Sequence, residues 1–140
     1  VLPMDWRATA TELAATIAEY QTAAGDRFDL SPAAVAAANL SGALDLLHSA
    51  LGSGEISAQK ANPVLKGLAR ILVPINYPRG PRFSHDPALN VPPLPAIAEA
   101  AALNCVPQDQ MGFALTQLLR GRNRVVAALR EATQLIEAAL

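Results

Sequence analysis

The chain has 140 residues, 12 of them acidic and 11 basic, and a net charge of −1. That length suits one domain with a core of its own, and the balance of charge offers no electrostatic footprint for nucleic acid or anionic lipid. Half of the chain (51%) is hydrophobic, but the surplus is mostly alanine, and no continuous apolar run approaches the roughly 20 residues of a membrane span. The expectation is a single domain over residues 1–140 with neither nucleic acid nor membrane insertion among its partners.

Asp5 stands where it can cap a helix and complement its dipole. Behind it Trp6, Ala10, Leu13, Ile17, Tyr20 and Ala24 recur every three or four residues, one apolar stripe, and Gly25 ends the helix. Ser31 followed by Pro32 predicts an N-cap with proline at the first helical position. Val35, Ala36, Leu40, Ala43, Leu44, Leu47 and Leu51 then form a broader stripe, closed by Gly52 and Gly54. Asn62 and Pro63 repeat the cap-plus-proline signal, so a third helix is expected from Pro63 to about Leu72, with Val64, Leu65, Leu68, Ile71 and Leu72 inward, and Ser57 to Ala61 offers an earlier turn before it. From Leu72 to Pro95 seven prolines forbid regular helix or a central strand. The interspersed Ile75, Tyr77, Phe83, Leu89, Val91 and Leu94 are too apolar for a disordered linker. The segment reads as a proline-rich ordered arm. Ala96 to Leu103 predicts a short helix that Pro107 stops. The last helix runs from about Gln108 to Ala139, roughly 45 Å at 1.5 Å per residue. Its stripe of Met111, Leu115, Leu118, Val125, Leu129, Ala132 and Ile136 is interrupted by Arg122, and Leu119, Val126 and Thr133 run beside it. No alternating apolar segment argues for a strand. The fold class expected is all-α, a bundle of four to five helices with a long C-terminal helix.

Chemistry is sparse. His48 and His85 are the only histidines, too few for a two-metal hydrolase. Asp45 and His48 share a helix face, but a carboxylate bundle site needs a matching pair on another helix. Cys105 needs a histidine brought to it before it acts as a nucleophile, and its ordinary reading is a buried small hydrophobe. It cannot close an internal disulfide and leaves the compartment undecided. Arg120, Arg122, Arg124 and Arg130 read first as a solvated face. The arm is different: Tyr77, Arg79, Arg82, Phe83 and His85 lie on an irregular segment, where binding groups tend to sit. They are the candidate cleft-lining residues, and Leu119 and Val126 are the candidate dimer-interface residues. The chain opens at Val1 without an initiator Met or a signal pattern, and the expectation is that it is part of a longer protein.

Leu2-Pro3-Met4-Asp5-Trp6-Arg7 resembles the Leu-Pro-Phe-Asp-x-Arg opening of the transferrin receptor-like dimerisation domain, the C-terminal helical domain of glutamate carboxypeptidase II and its relatives among the M28 zinc metallopeptidases. The matching positions are Leu2, Pro3, Asp5 and Arg7. Asn62-Pro63 leading to a proline arm, and Pro81-Arg82-Phe83-Ser84-His85 within it, are similar to the same family, as is the order of elements along the chain. Ser84 stands where the family places an arginine, and residues 86–93 lack the Lys-Tyr loop of glutamate-selective members. The resemblance implies a homodimerisation and cleft-closing module of a zinc-dependent exopeptidase, not itself an enzyme. The zinc would sit in an upstream protease domain, the partners would be that domain, a second copy and a peptide substrate, and the location would be extracytoplasmic. The rival expectation is an independent helical interaction module that docks partners on the arm.

Overall fold

The computed structural model describes residues 5–76 and 92–140. These form an all-α bundle of four helices: α1 (Trp6–Ala24), α2 (Ser31–Ser53), α3 (Ala58–Asn76) and α4 (Met111–Ala139), with 3-10 turns at Gly25–Arg27, Ala98–Cys105 and Gln108–Gln110. The long helix α4 lies between α2 and α3, while α1 packs on α2 and on the Ala98–Cys105 turn.

α1 starts as expected. The Asp5 carboxylate accepts from the Arg7 amide at 3.0 Å and is gripped by the Arg7 guanidinium at 3.0 and 2.9 Å, which satisfies one free amide of the first turn. Ala10, Leu13, Ile17, Tyr20 and Ala24 are buried in register, and Trp6 packs partly buried at the end of the stripe. Gly25 then turns the chain out at φ 58, a left-handed backbone that favours glycine.

The connector to α2 is tied from both sides. Gln21 on α1 donates to the Gly25 and Phe28 carbonyls and accepts from the Leu30 amide. Arg122 on α4 donates to the Asp29 carbonyl at 2.9 Å and lies over the Phe28 ring at 5.4 Å. The arginine that interrupts the α4 stripe is therefore a strut between helices rather than part of a solvated face. It holds Leu30, fully buried, at the start of α2. The cap of α2 is Leu30 rather than Ser31, and the capping carboxylate is Asp29, which accepts from the Ser31 amide at 2.8 Å. That bond, with the Arg122 charge behind it, holds the Asp29 carboxyl below the usual carboxylate range.

α3 departs furthest from expectation. It begins at Ala58, five residues before Pro63, because Ser57 caps it by accepting from the Lys60 amide at 3.3 Å. It also runs through Pro74 to Asn76. Each proline removes one helical hydrogen bond near an end of the helix, and the inward row Ala61, Val64, Leu65, Leu68 and Leu72 offsets that loss, each large side chain contributing about 1.5–3 kcal/mol. The arm is thus shorter than its prolines suggested.

Two further expectations are corrected on α2 and near α4. Val35 is 61% exposed, and Ala33, Ala37 and Ala50 take inward places beside the expected stripe. Cys105 is exposed rather than a buried small hydrophobe. By length and composition α2 is also apolar enough to cross a membrane, with a hydropathy of 1.2 over its best window; its inner row is packed in the bundle.

The return of the chain from the arm depends on Gly121. A Cβ at this position would lie 2.0 Å from the Ala96 carbonyl oxygen, so the backbone at 95–97 rests directly on α4. Gly121→Ala is expected to destabilise the fold by about 1–3 kcal/mol or more, despite alanine's better helix propensity, because backbone cannot yield as a side chain can. Urea unfolding monitored by circular dichroism checks this. A second outcome concerns pH. The Arg7 guanidinium and amide lower the Asp5 carboxyl from 3.8 to about 2, so the cap is in place above pH about 4 and is lost as pH falls through about 2. Amide exchange at Arg7 should accelerate over that interval, with the bundle amides following only on global unfolding.

Candidate functional site

The segment 77–91, with Tyr77, Arg79, Arg82, Phe83 and His85, lies outside the described residues. Its two ends do not. At the outgoing end Asn76, the last residue of α3, accepts from the Leu94 amide through Oδ1 at 3.1 Å. At the returning end the Tyr20 hydroxyl donates to the Pro93 carbonyl. Burial pushes the Tyr20 phenol up, with a smaller push from Glu19, so the hydroxyl stays a donor throughout the neutral range.

Leu94 itself has a φ of 48° and is fully buried. A left-handed backbone costs a leucine on the order of 1–2 kcal/mol. The side chain's burial and the Asn76 bond hold it there. Ile97, Ala100 and Leu103 follow it into the core, so the chain returning from the arm is anchored within four residues. Neither Tyr20 nor Asn76 stood out in the sequence as a site residue. Tyr20 was legible only as a member of an apolar stripe.

Two shallow depressions flank this base. One, about 390 Å³, is lined by Pro74, Ile75, Pro95, Ala96, Arg124 and Val125. The other, about 260 Å³, lies against Trp6, Thr9, Glu12, Leu72, Val73 and Asn76. The first carries a cation, the second an anion. The Trp6 Nε1 is buried and has no hydrogen-bond partner among the described residues.

Other expected site residues are dispersed. Leu119 is 42% exposed while Val126 is 7% exposed and belongs to the core, so the two do not share an outer stripe. Asp45 and His48 are both exposed on α2. Among the described residues no three His, Cys, Asp or Glu side chains converge on a point. Of the four positions that carry the opening motif, Leu2 and Pro3 lie outside the described residues; Asp5 and Arg7 form the bidentate pair at the head of α1. Comparison of the chain with protein-family models, with curated proteins and with solved structures finds no match.

The clasp can be tested without the arm's sequence. Asn76→Ala leaves the Leu94 amide without its acceptor and should cost about 1–3 kcal/mol, and Tyr20→Phe about 1 kcal/mol. In both variants exchange at the Leu94 and Ile97 amides should rise more than exchange in the middle of α2. A uniform rise would mean that the two bonds stabilise the whole bundle rather than the base of the arm.

Proposed function

We propose that this chain is an assembly module: the helical domain through which a zinc-dependent M28-type exopeptidase forms a homodimer and closes one side of its substrate cleft. The observation that carries the reading is the clasp of Asn76, Leu94 and Tyr20. A wall of a binding cleft has to be held by the body behind it, and here a segment rich in arginine, aromatic residues and histidine leaves and re-enters a helical body at two anchored points. The motifs around Asp5-Trp6-Arg7, Asn62-Pro63 and Arg82-Phe83-Ser84-His85 support the same reading.

On this reading the chain supplies no bond-breaking group. Arg79 and Arg82 give charge-assisted hydrogen bonds to a peptide carboxylate or carbonyl, Tyr77 and Phe83 an apolar lining, and His85 an orienting hydrogen bond. The zinc belongs to a protease domain elsewhere in the polypeptide. A second reading, an independent helical interaction module, is favoured by Phe113, 72% exposed beside the start of α4.

The full-length polypeptide separates the two. Under the first reading it hydrolyses peptides, and Arg82→Ala or His85→Ala raises KM about tenfold with little change in kcat, since uniform binding is lost. Zinc content and dimerisation should be unchanged. Variants with wild-type kinetics would remove the arm from the cleft, and a full-length protein without peptidase activity or zinc would favour the second reading.

A further inference from the structure

The hollow of about 260 Å³ between the head of α1 and the last turn of α3 combines an aromatic ring, an apolar wall and a negative charge. Trp6, Thr9 and Glu12 reach it from α1, and Leu72, Val73 and Asn76 from α3. Its volume falls below the roughly 300–1,000 Å³ of a drug-sized ligand site. It suits a single side chain.

Trp6 is the first observation. Its Nε1 is buried and unpartnered among the described residues, a cost that phenylalanine or leucine in the same place would not carry. What tryptophan adds over them is the electron-rich face of the indole, the best of the aromatic rings for a cation. Beside it Val73, 43% exposed, is an apolar surface that the described residues leave partly uncovered.

Electrostatics is the second observation and an independent one. Glu12 has no ion-pair partner among the described residues, and no lysine, arginine or histidine lines the hollow. The last carbonyls of α3 have no helical amide ahead of them, and Pro74, which has no N–H, frees one more. That end of the helix carries partial negative charge and favours a cation. The opposite pole, at the head of α1, is already capped by Asp5. Asn76 commits its Oδ1 to the Leu94 amide, so what it has left for a ligand is the Nδ2 donor.

We propose that this hollow binds an arginine residue of a peptide. The guanidinium lies over the Trp6 ring and pairs with the Glu12 carboxylate, the alkyl stem covers Val73, and the backbone carbonyl of the same residue accepts from Asn76 Nδ2. Arginine is favoured over lysine because its guanidinium is planar and weakly hydrated, and stacks on an aromatic face while its edge reaches a carboxylate. An acidic segment would meet Glu12 with its own sign of charge. A purely apolar one would leave the carboxylate and the Asn76 amide without partners. The inference makes no use of the assembly reading and stands or falls apart from it.

Trp6 is the chain's single tryptophan, so its indole N–H gives one unambiguous peak in a nitrogen–proton correlation spectrum. Titration of the labelled 140-residue chain with N-acetyl-arginine-N-methylamide should move that peak and the Val73 amide, with a dissociation constant of about 0.1–1 mM. The citrulline analogue, of the same shape without the charge, should bind at least about tenfold more weakly. Agmatine, which keeps the guanidinium and lacks the carbonyl, should bind about threefold more weakly. Glu12→Gln should weaken the arginine compound at least about fivefold; Glu12 is exposed, and unchanged circular dichroism confirms that the variant folds. An indole peak that stays in place up to about 20 mM ligand would overturn the site. Equal binding of the citrulline analogue, or wild-type affinity in Glu12→Gln, would overturn recognition of the cation. Agmatine as tight as the arginine compound would overturn the peptide assignment in favour of a free organic cation.

Discussion

The contact on which the rest of the arrangement depends is between two stretches of backbone. Gly121 leaves α4 without a side chain at the point where the Ala96 carbonyl lies, and a Cβ there would approach that oxygen to 2.0 Å. Since the chain returning from the arm rests directly on α4, Leu94, Ile97, Ala100 and Leu103 reach the core and the Ala98–Cys105 turn packs on α1. A larger residue would lift that whole return and open the space that four buried apolar side chains now fill. The clasp of Tyr20 and Asn76 works on the same segment from the other side. It can be exact only because α4 supplies a fixed floor beneath it.

Much of the fold was legible in the sequence because helical periodicity is a strong signal where the partner surface is continuous. The α1 stripe from Ala10 to Ala24 is buried residue for residue, and Gly25 and Gly54 end their helices in left-handed conformations. The misreadings have separate physical causes. Pro63 and Pro74 read locally as a start and a stop, yet a proline forfeits only one bond near a helix end, and Leu65, Leu68 and Leu72 outweigh it. Val35 and Val126 carry the same kind of side chain at helical spacing, but one faces out and the other in. Periodicity gives the angle between residues on one helix and leaves open where its neighbours stand. Arg122 read as an interruption because its partners, the Asp29 carbonyl and the Phe28 ring, are some ninety residues distant in sequence.

The candidate site was legible in part. The arm stood out by its prolines and its arginines, whereas the residues that hold its base did not, because a tyrosine in an apolar stripe and an asparagine at a helix end are common in any bundle. Their role follows from tertiary bonds to Pro93 and Leu94, which no local pattern announces. The hollow beside Trp6 is similar: its residues are visible in the sequence, but that Trp6 and Glu12 stand against Val73 and Asn76 needs the packed bundle.

The clasp also separates the arm from the body as an evolutionary unit. With Asn76 bonded to Leu94 and Tyr20 to Pro93, the ends of the intervening segment are held together by groups that belong to the body. Tyr20, Asn76 and Leu94 all belong to the described body, so what fixes the two ends does not depend on which residues stand between 77 and 91. Selection on the core and selection on that segment can therefore act on separate sets of positions.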